Sequence, residues 1–283
     1  MESTLEDLVQ QAKEGSREAL EYVVQGIQDR IYGLALRMLG YPADAEDAAQ
    51  EILIKVVTRL DSFRQESAFT TWVYRIAANH LLTTRKRLAE NQAVSFEDYE
   101  ALLEIAVASE WPESVPEAER SLIVKEVMLS CTHGMLLCLD RPHRITFILS
   151  EIFDISSQQG ADILDITPAA YRKRLSRARD RIRTFMLKNC GAVNAENPCH
   201  CEQVAPSAIQ THAIDPKNLL FAGHRQRDEG GRLSMAYLEE LDSLQRMAAL
   251  FKNHPDYAAP ETCIESLKEL VQTRRIRLFE GLH

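Results

Sequence analysis

The sequence predicts an all-α protein: two small helical domains joined by an acidic linker, then a mostly helical C-terminal extension. Three observations carry that prediction. Glycine (11) and proline (10) are scarce among 283 residues, and long-side-chain helix formers are common. Apolar residues recur at three- and four-residue spacing through residues 29–88 and again through 120–189. Between these blocks, residues 89–119 hold nine acids and no Lys or Arg, which reads as an extended, self-repelling segment with one short helix. The expected layout is therefore 1–88, 89–119, 120–189 and 190–283.

In the first block, residues 29–39 form one apolar-periodic helix, and GYPADAED makes a turn that places Pro42 near the start of the next. In that next helix Ala45, Ala48, Ala49, Ile52, Leu53, Val56, Val57 and Leu60 form a wide apolar stripe. Asp47, Gln50, Glu51, Ile54 and Thr58 share the opposite face. An isoleucine among polar neighbours fits either a partner surface or an ordinary solvated face. The loop DSFRQESAFT leads into a third helix, TWVYRIAANHLLTTRKR. Here Arg75, Asn79, Thr83 and Lys86 align, with Arg85 and Arg87 adding charge at the end. Such a row can hold phosphates and offer an amide to a base edge.

In the second block, LLCLDRPHRITFILSEIF is a pair of helices broken around Arg141-Pro142, and ISSQQGADILDITPAAYRKRLSRARDRIR is helix, short turn, helix. Thr167 suits an N-cap and Pro168 the first helical position. At 100° per residue, Tyr171, Leu175, Ala178, Ile182 and Phe185 fall on one narrow apolar face. Arg172, Lys173, Arg174, Arg177, Arg179, Arg181 and Arg183 cover the rest, against the single acid Asp180. A solvated surface helix would interleave acids at i+4. Two helices joined by so short a turn form a helix-turn-helix, whose second helix enters the DNA major groove.

The third block begins as loop with Pro198, Pro206 and Pro216 and ends in two amphipathic helices, near 233–253 and 261–279, separated by HPDYAAP. Cys190, Cys199, His200 and Cys201 cluster at its start. Thiolates and an imidazole can bind zinc or another soft metal. The usual two-residue cysteine knuckle is missing, and a fourth ligand has to come from within the cluster or from His212 or His224. Ordinary loop thiols are the alternative.

The bulk numbers set the outer bounds. With 33 Lys+Arg against 42 Asp+Glu, the net charge is -9. That excludes a protein coated in nucleic acid and leaves one that touches it with chosen faces. No apolar run approaches the roughly 18 residues of a membrane span. The start, MESTLEDLVQQAKEG, is unlike a secretory or transit leader, so the expected location is the cytoplasm. Six irregularly spaced cysteines do not make a disulfide framework. No nucleophile–base pair, phosphate loop or metalloenzyme motif points to an enzyme.

The stretch ISSQQGADILDITPAAYRKRLSRARDRIR resembles region 4.2 of extracytoplasmic-function (ECF, group IV) sigma factors, and LDRPHRITFILSEIF resembles the region 4.1 helix before it. DAEDAAQEILIKVVTRLDSFRQESAFTTWVYRIAANHLLTTRKR resembles region 2 of the same family. The resemblance covers roughly residues 1–188. It departs at Asp165, where the family usually has Gly in the turn, and at Gly160, which replaces an apolar residue.

The resemblance implies a promoter-specificity subunit that needs no cofactor. Asp47, Gln50, Glu51, Ile54 and Thr58 would bind the clamp helices of the largest polymerase subunit, with a further contact to the flap. Phe63, Arg64, Trp72, Arg75, Asn79, Thr83, Arg85, Lys86 and Arg87 would open the minus-ten element and capture an unstacked base. Thr167, Arg172, Lys173, Arg174, Arg177 and Arg179 would serve the minus-35 element. The acidic linker would occupy a basic polymerase channel, and an anti-sigma protein or the extension itself would regulate the sigma domains. Two rival readings are a stand-alone helix-turn-helix regulator and a metal- or thiol-responsive sensor acting through its tail.

Overall fold

The computed structural model describes residues 4–83, 95–105, 110–223, 242–252 and 254–262. The described residues are helical with no extended strand; the one bridge pairs Cys190 with Cys199. They form two compact units: 4–83 with 156–170 and 256–262, and 95–105, 110–155, 171–223, 242–252 and 254–255.

The first unit is built on α1 (Leu5–Lys13), α2 (Arg17–Leu39), α3 (Pro42–Thr58) and α4 (Phe69–Thr83). Pro42 opens α3 as the sequence suggests, because a first-turn residue needs no intrahelical N–H partner. Gly40 ends α2 at φ 81°, a left-handed cap that glycine adopts without a Cβ clash. The whole predicted α3 stripe, Ala45 through Leu60, is buried. The apolar pattern predicts a first helix from residue 29, whereas α2 starts at Arg17 behind the Ser16 N-cap. Helix α1 lies outside the predicted elements, and its signal in the sequence is the capping box of Thr4 and Asp7. Helix α8, defined below, also packs in this unit, against α4.

The second unit contains α5 (Phe96–Ile105), α6 (Glu117–Leu137) and α7 (Arg141–Phe147), which a π turn (Ile148–Ile152) continues. Asp140 caps α7 by accepting the His143 N–H at 3.0 Å. Next in the chain come α8 (Ser157–Leu164) and α9 (Pro168–Asn189). Most of α9 belongs to the second unit. All five predicted apolar positions of α9 are buried.

The tail is more structured than the sequence suggests, while the linker holds the short helix expected of it. Helix α5 is the one short helix expected within the acidic stretch, and it is anchored by packing. Its Phe96 and Tyr99 rings sit 5.4 and 5.6 Å from Phe185, and Glu100 pairs with Lys188 at 2.7 Å. Phe96 and Tyr99, three residues apart among acids, share one helical face. The expected loop after Cys190 contains α10 (Cys201–Gln210), with Pro206 inside it. Pro206 is buried, so packing outweighs the lost hydrogen bond that made proline read as a breaker. Of the two expected terminal helices, the described part is α11 (Ser243–Lys252). Most of the second, and the start of the first, lie outside the described residues.

The extension completes the second unit's core. Val115, Ile123 and Val127 of and near α6 pack with Ala205 of α10 and Ile214. Phe251 of α11 meets Phe147 at 5.0 Å, and Lys252 pairs with Asp154 at 3.1 Å. The Glu126 carboxylate, 2% exposed, accepts the backbone N–H groups of Leu220, Phe221 and Ala222 at 2.6–3.1 Å. Three consecutive donors satisfy a buried charge that would otherwise be costly.

Candidate polymerase and nucleic-acid interfaces

On α3, burying the Ala45–Leu60 stripe leaves Asp47, Glu51 and Thr58 exposed, with Gln50 and Ile54 half-buried. The five predicted partner residues therefore share one accessible face. Glu51 lies 3.8 Å from the His80 ring of α4, which also meets Lys55 at 2.5 Å. Burial, and then Lys55, push the His80 pKa down, so the imidazole stays neutral at ordinary pH.

The loop before α4 has an aromatic floor and an exposed rim. Phe63 is buried, and its ring lies 5.2 Å from Phe69 and 5.6 Å from Trp72. Phe69 and Trp72 stack at 5.7 Å. Lys13 of α1 donates to the Phe63 carbonyl at 2.9 Å and pins the start of the loop. Arg64 and residues 65–68 are exposed above this floor, and Gln65 holds a positive φ of 59°. Phe63 was expected to contact DNA directly. Its burial makes it a support for the loop instead, and Trp72 is half-buried beside it.

Along α4, Arg75, Asn79 and Thr83 are on the exposed face. The Thr83 hydroxyl turns back to donate to the Asn79 carbonyl at 2.6 Å. Arg75 is engaged too: Nε and Nη2 donate to the Asp162 carbonyl of α8 at 3.1 and 2.8 Å. Arg85, Lys86 and Arg87 lie outside the described residues.

The turn of the helix-turn-helix is built as its residues demand. Ser156 and Gln159 form a capping box at the start of α8. Asp165 ends the helix at φ 52°, ψ 49°, a left-handed conformation that glycine adopts without a Cβ penalty. Thr167 accepts the Ala170 N–H at 3.2 Å and caps α9.

The buried Tyr171 shares a 2.9 Å hydrogen bond with Ser150 and donates to the Thr146 carbonyl at 3.3 Å. This fixes the rotation of α9 about its axis. As a result Arg172, Lys173, Arg177, Arg181 and Arg183 are exposed, and Arg174 is half-buried. Arg179 is exposed but forked onto Glu151 at 3.0 and 2.5 Å. Sequence reading could not anticipate that partner, which lies 28 residues upstream.

The cysteine cluster is rearranged. The Cys190–Cys199 bridge brings two backbones together, with Gly191 N–H donating to the Cys199 carbonyl at 2.9 Å. A Cβ at position 191 would stand 2.7 Å from the His200 ring, so only glycine fits that approach. Burial raises the thiol of Cys199 to about 11 and that of Cys201 to about 12, with Cys190 adding to both. Cys131 of α6 is also close enough to feel Cys190, Cys201 and Cys199, and it is pushed well up, mainly by burial. It is the member that sequence spacing missed. Among the described residues, no three His, Cys, Asp or Glu side chains are grouped to hold a metal ion. His224 lies outside them, and His212 is exposed.

Comparison with known proteins finds two family matches. The Sigma-70 region 2 family matches residues 23–90, and the Sigma-70 region 4 family matches 129–182. The ECF RNA polymerase sigma-E factor of Escherichia coli (strain K12) is 31% identical over 184 residues, covering 62% of this chain and 90% of that protein. The ECF RNA polymerase sigma factor SigW of Bacillus subtilis (strain 168) is 29% identical over 188 residues, covering 65% of this chain and 97% of that protein. A solved structure of CnrH in complex with the cytosolic domain of CnrY overlaps 63% of this chain and 94% of CnrH, at 22% identity and a TM-score of 0.42.

Proposed function

Because the chain belongs to the extracytoplasmic-function sigma factors, the promoter-specificity subunits of bacterial RNA polymerase, we propose that α3, α4 and α9 divide polymerase and promoter binding between them. It is an initiation factor and not an enzyme. The exposed face of α3, from Asp47 to Thr58, takes the clamp helices of core polymerase. The rim at Arg64, with Asn79, Thr83 and Arg75 of α4, takes the minus-ten element over the Phe63–Phe69–Trp72 floor. Arg172, Lys173 and Arg177 read the minus-35 element from the N-terminal half of α9, and Arg181 and Arg183 hold phosphates.

The observation that carries this reading is α9 itself: an arginine-rich exposed face on a helix anchored by a buried stripe, within a chain of net charge -9. An acidic surface elsewhere limits stray DNA binding, while polymerase supplies most of the grip. Pull-down of core polymerase followed by sequencing of bound promoters tests it. Promoter binding should need core polymerase. Arg172→Ala or Arg177→Ala should cost about 1–3 kcal/mol if the side chain reads a base, or flatten the salt slope by roughly one unit if it holds a phosphate. Equal promoter affinity with and without polymerase would favour the stand-alone regulator instead.

The same reading places the protein in the cytoplasm, where polymerase works; no helix among the described residues is long and apolar enough to cross a membrane. It gives the extension a regulatory role, in place of or beside a separate anti-sigma protein. Supporting this, α10, α11 and the 220–222 loop complete the unit that carries most of α9. Cys190, Cys199, Cys201 and His200, or Cys131 in its place, would hold zinc or another soft metal. Elemental analysis of purified protein tests it, and substoichiometric metal removes it.

A further inference from the structure

The first unit draws in a piece of the extension that the helix-turn-helix and polymerase roles do not explain. Residues 256–262 lie on α2 and α3. The Tyr257 ring, 1% exposed, faces the Arg37 guanidinium at 4.8 Å. The Ala259 N–H donates to Asp29 at 2.9 Å, and the Thr262 hydroxyl donates to the Glu46 carboxylate.

Arg37 is an unusual residue to cover. It is 2% exposed, and Nη1 donates to the Gly33 carbonyl at 2.9 Å. Burial lowers its pKa, and the nearby Tyr257, Asp256 and Tyr74 oppose that shift. Covering a guanidinium with an aromatic ring gains a cation–π contact but gives up hydration. A contact with such offsetting terms is specific without being tight, which suits an occupant that has to leave.

Location supplies the second argument. Glu46 adjoins Asp47, the first residue of the α3 face assigned to polymerase. In the same unit, α8 rests on α4, and its Asp162 carbonyl takes both Arg75 hydrogen bonds. One unit thus has its promoter helix covered by α8 and the shoulder of its polymerase face covered by residues 256–262.

We propose that residues 256–262 are an intramolecular ligand that competes with core polymerase for the α2–α3 surface and keeps the free chain in a resting form. The proposal rests on the assignment of α3 to polymerase. Seating polymerase on α3 displaces the Thr262–Glu46 contact and then Tyr257 from Arg37. The partner that relieves the block is therefore polymerase itself.

The test uses the full-length chain. Hydrogen exchange should show residues 256–262 protected in the free protein and unprotected in its complex with core polymerase. Tyr257→Ala and Ala259→Pro, which touch neither the promoter nor the polymerase residues, should each tighten core binding. If the latched form makes up about nine-tenths of the free protein, removing it tightens binding about tenfold. Ala259→Pro and the wild-type exchange experiment decide the matter even if Tyr257→Ala fails to fold. Segment protection that persists in the complex, or unchanged core affinity in Ala259→Pro, overturns the proposal. Asp47→Ala and Glu51→Ala separate the two assignments. If they leave core binding intact, the α3 assignment fails; if they weaken it while the latch variants do nothing, only the competition fails.

Discussion

Replacing Glu126 with alanine should destabilise the second unit by about 3–5 kcal/mol. The side chain is 2% exposed, and its two oxygens accept from Leu220, Phe221 and Ala222. Truncation leaves the buried N–H groups of Phe221 and Ala222 without an acceptor, while water can reach the part-buried Leu220. Each orphaned buried donor costs about 1–3 kcal/mol, and relief of the buried carboxylate returns some of that. Glu126→Gln keeps one carbonyl acceptor and should lose roughly half as much. Urea unfolding followed by circular dichroism measures the loss, and limited proteolysis near residues 219–223 reports local release. If Glu126→Ala unfolds within about 0.5 kcal/mol of wild type and resists protease equally, the cradle is not what holds the extension.

Three further outcomes follow from single residues. Asp165→Gly should stabilise the chain by up to about 1 kcal/mol, because Asp165 sits at φ 52° and glycine carries no left-handed penalty; thermal melting checks this. Gly134→Ala should eject α5, since its Cβ would stand 2.6 Å from the Tyr99 hydroxyl; faster protease cleavage around residues 95–105 is the readout, despite alanine's better helix propensity. Cys199 and Cys201, raised to about 11 and 12, should react with a disulfide reagent at pH 8 at least about a hundredfold more slowly in the native chain than in urea. The linkage has a definite sign: these thiols stay protonated in the fold. Their contribution is whole below the unfolded value near 8.5 and falls as pH rises from there through about 11–12.

Helices with a long periodic stripe were legible in the sequence because period and burial are the same fact seen twice. The α3 stripe and the Tyr171–Phe185 face of α9 are examples. Local chemistry was legible as well: Pro42 and Thr167 sit as their residue types require, and Asp165 takes the unusual conformation that its turn position demands. Contacts between distant segments were not. Nothing near Arg179 announces Glu151, nothing near Arg75 announces the Asp162 carbonyl, and Glu126 gives no hint of an anchor for residue 221. Phe63 reads as an exposed loop aromatic until Phe69 and Trp72 close over it. In the extension, prolines masked α10, because proline's local cost shows in the sequence and its tertiary compensation does not.

The shared core of α6 and α10 also bears on how the chain is made. Glu126 and Phe221 stand 95 residues apart, and Ile123 and Val127 meet Ala205 and Ile214 across a similar span. Such non-local closures come late and slow folding. At ribosomal speeds of about 5–20 residues per second, α6 emerges several seconds before the residues that seal it. During that interval the nascent chain exposes an apolar groove and is open to chaperones and proteases. A chain cut short before residue 201 would keep that groove open, so premature termination there should yield degradation targets in place of unregulated initiation factors.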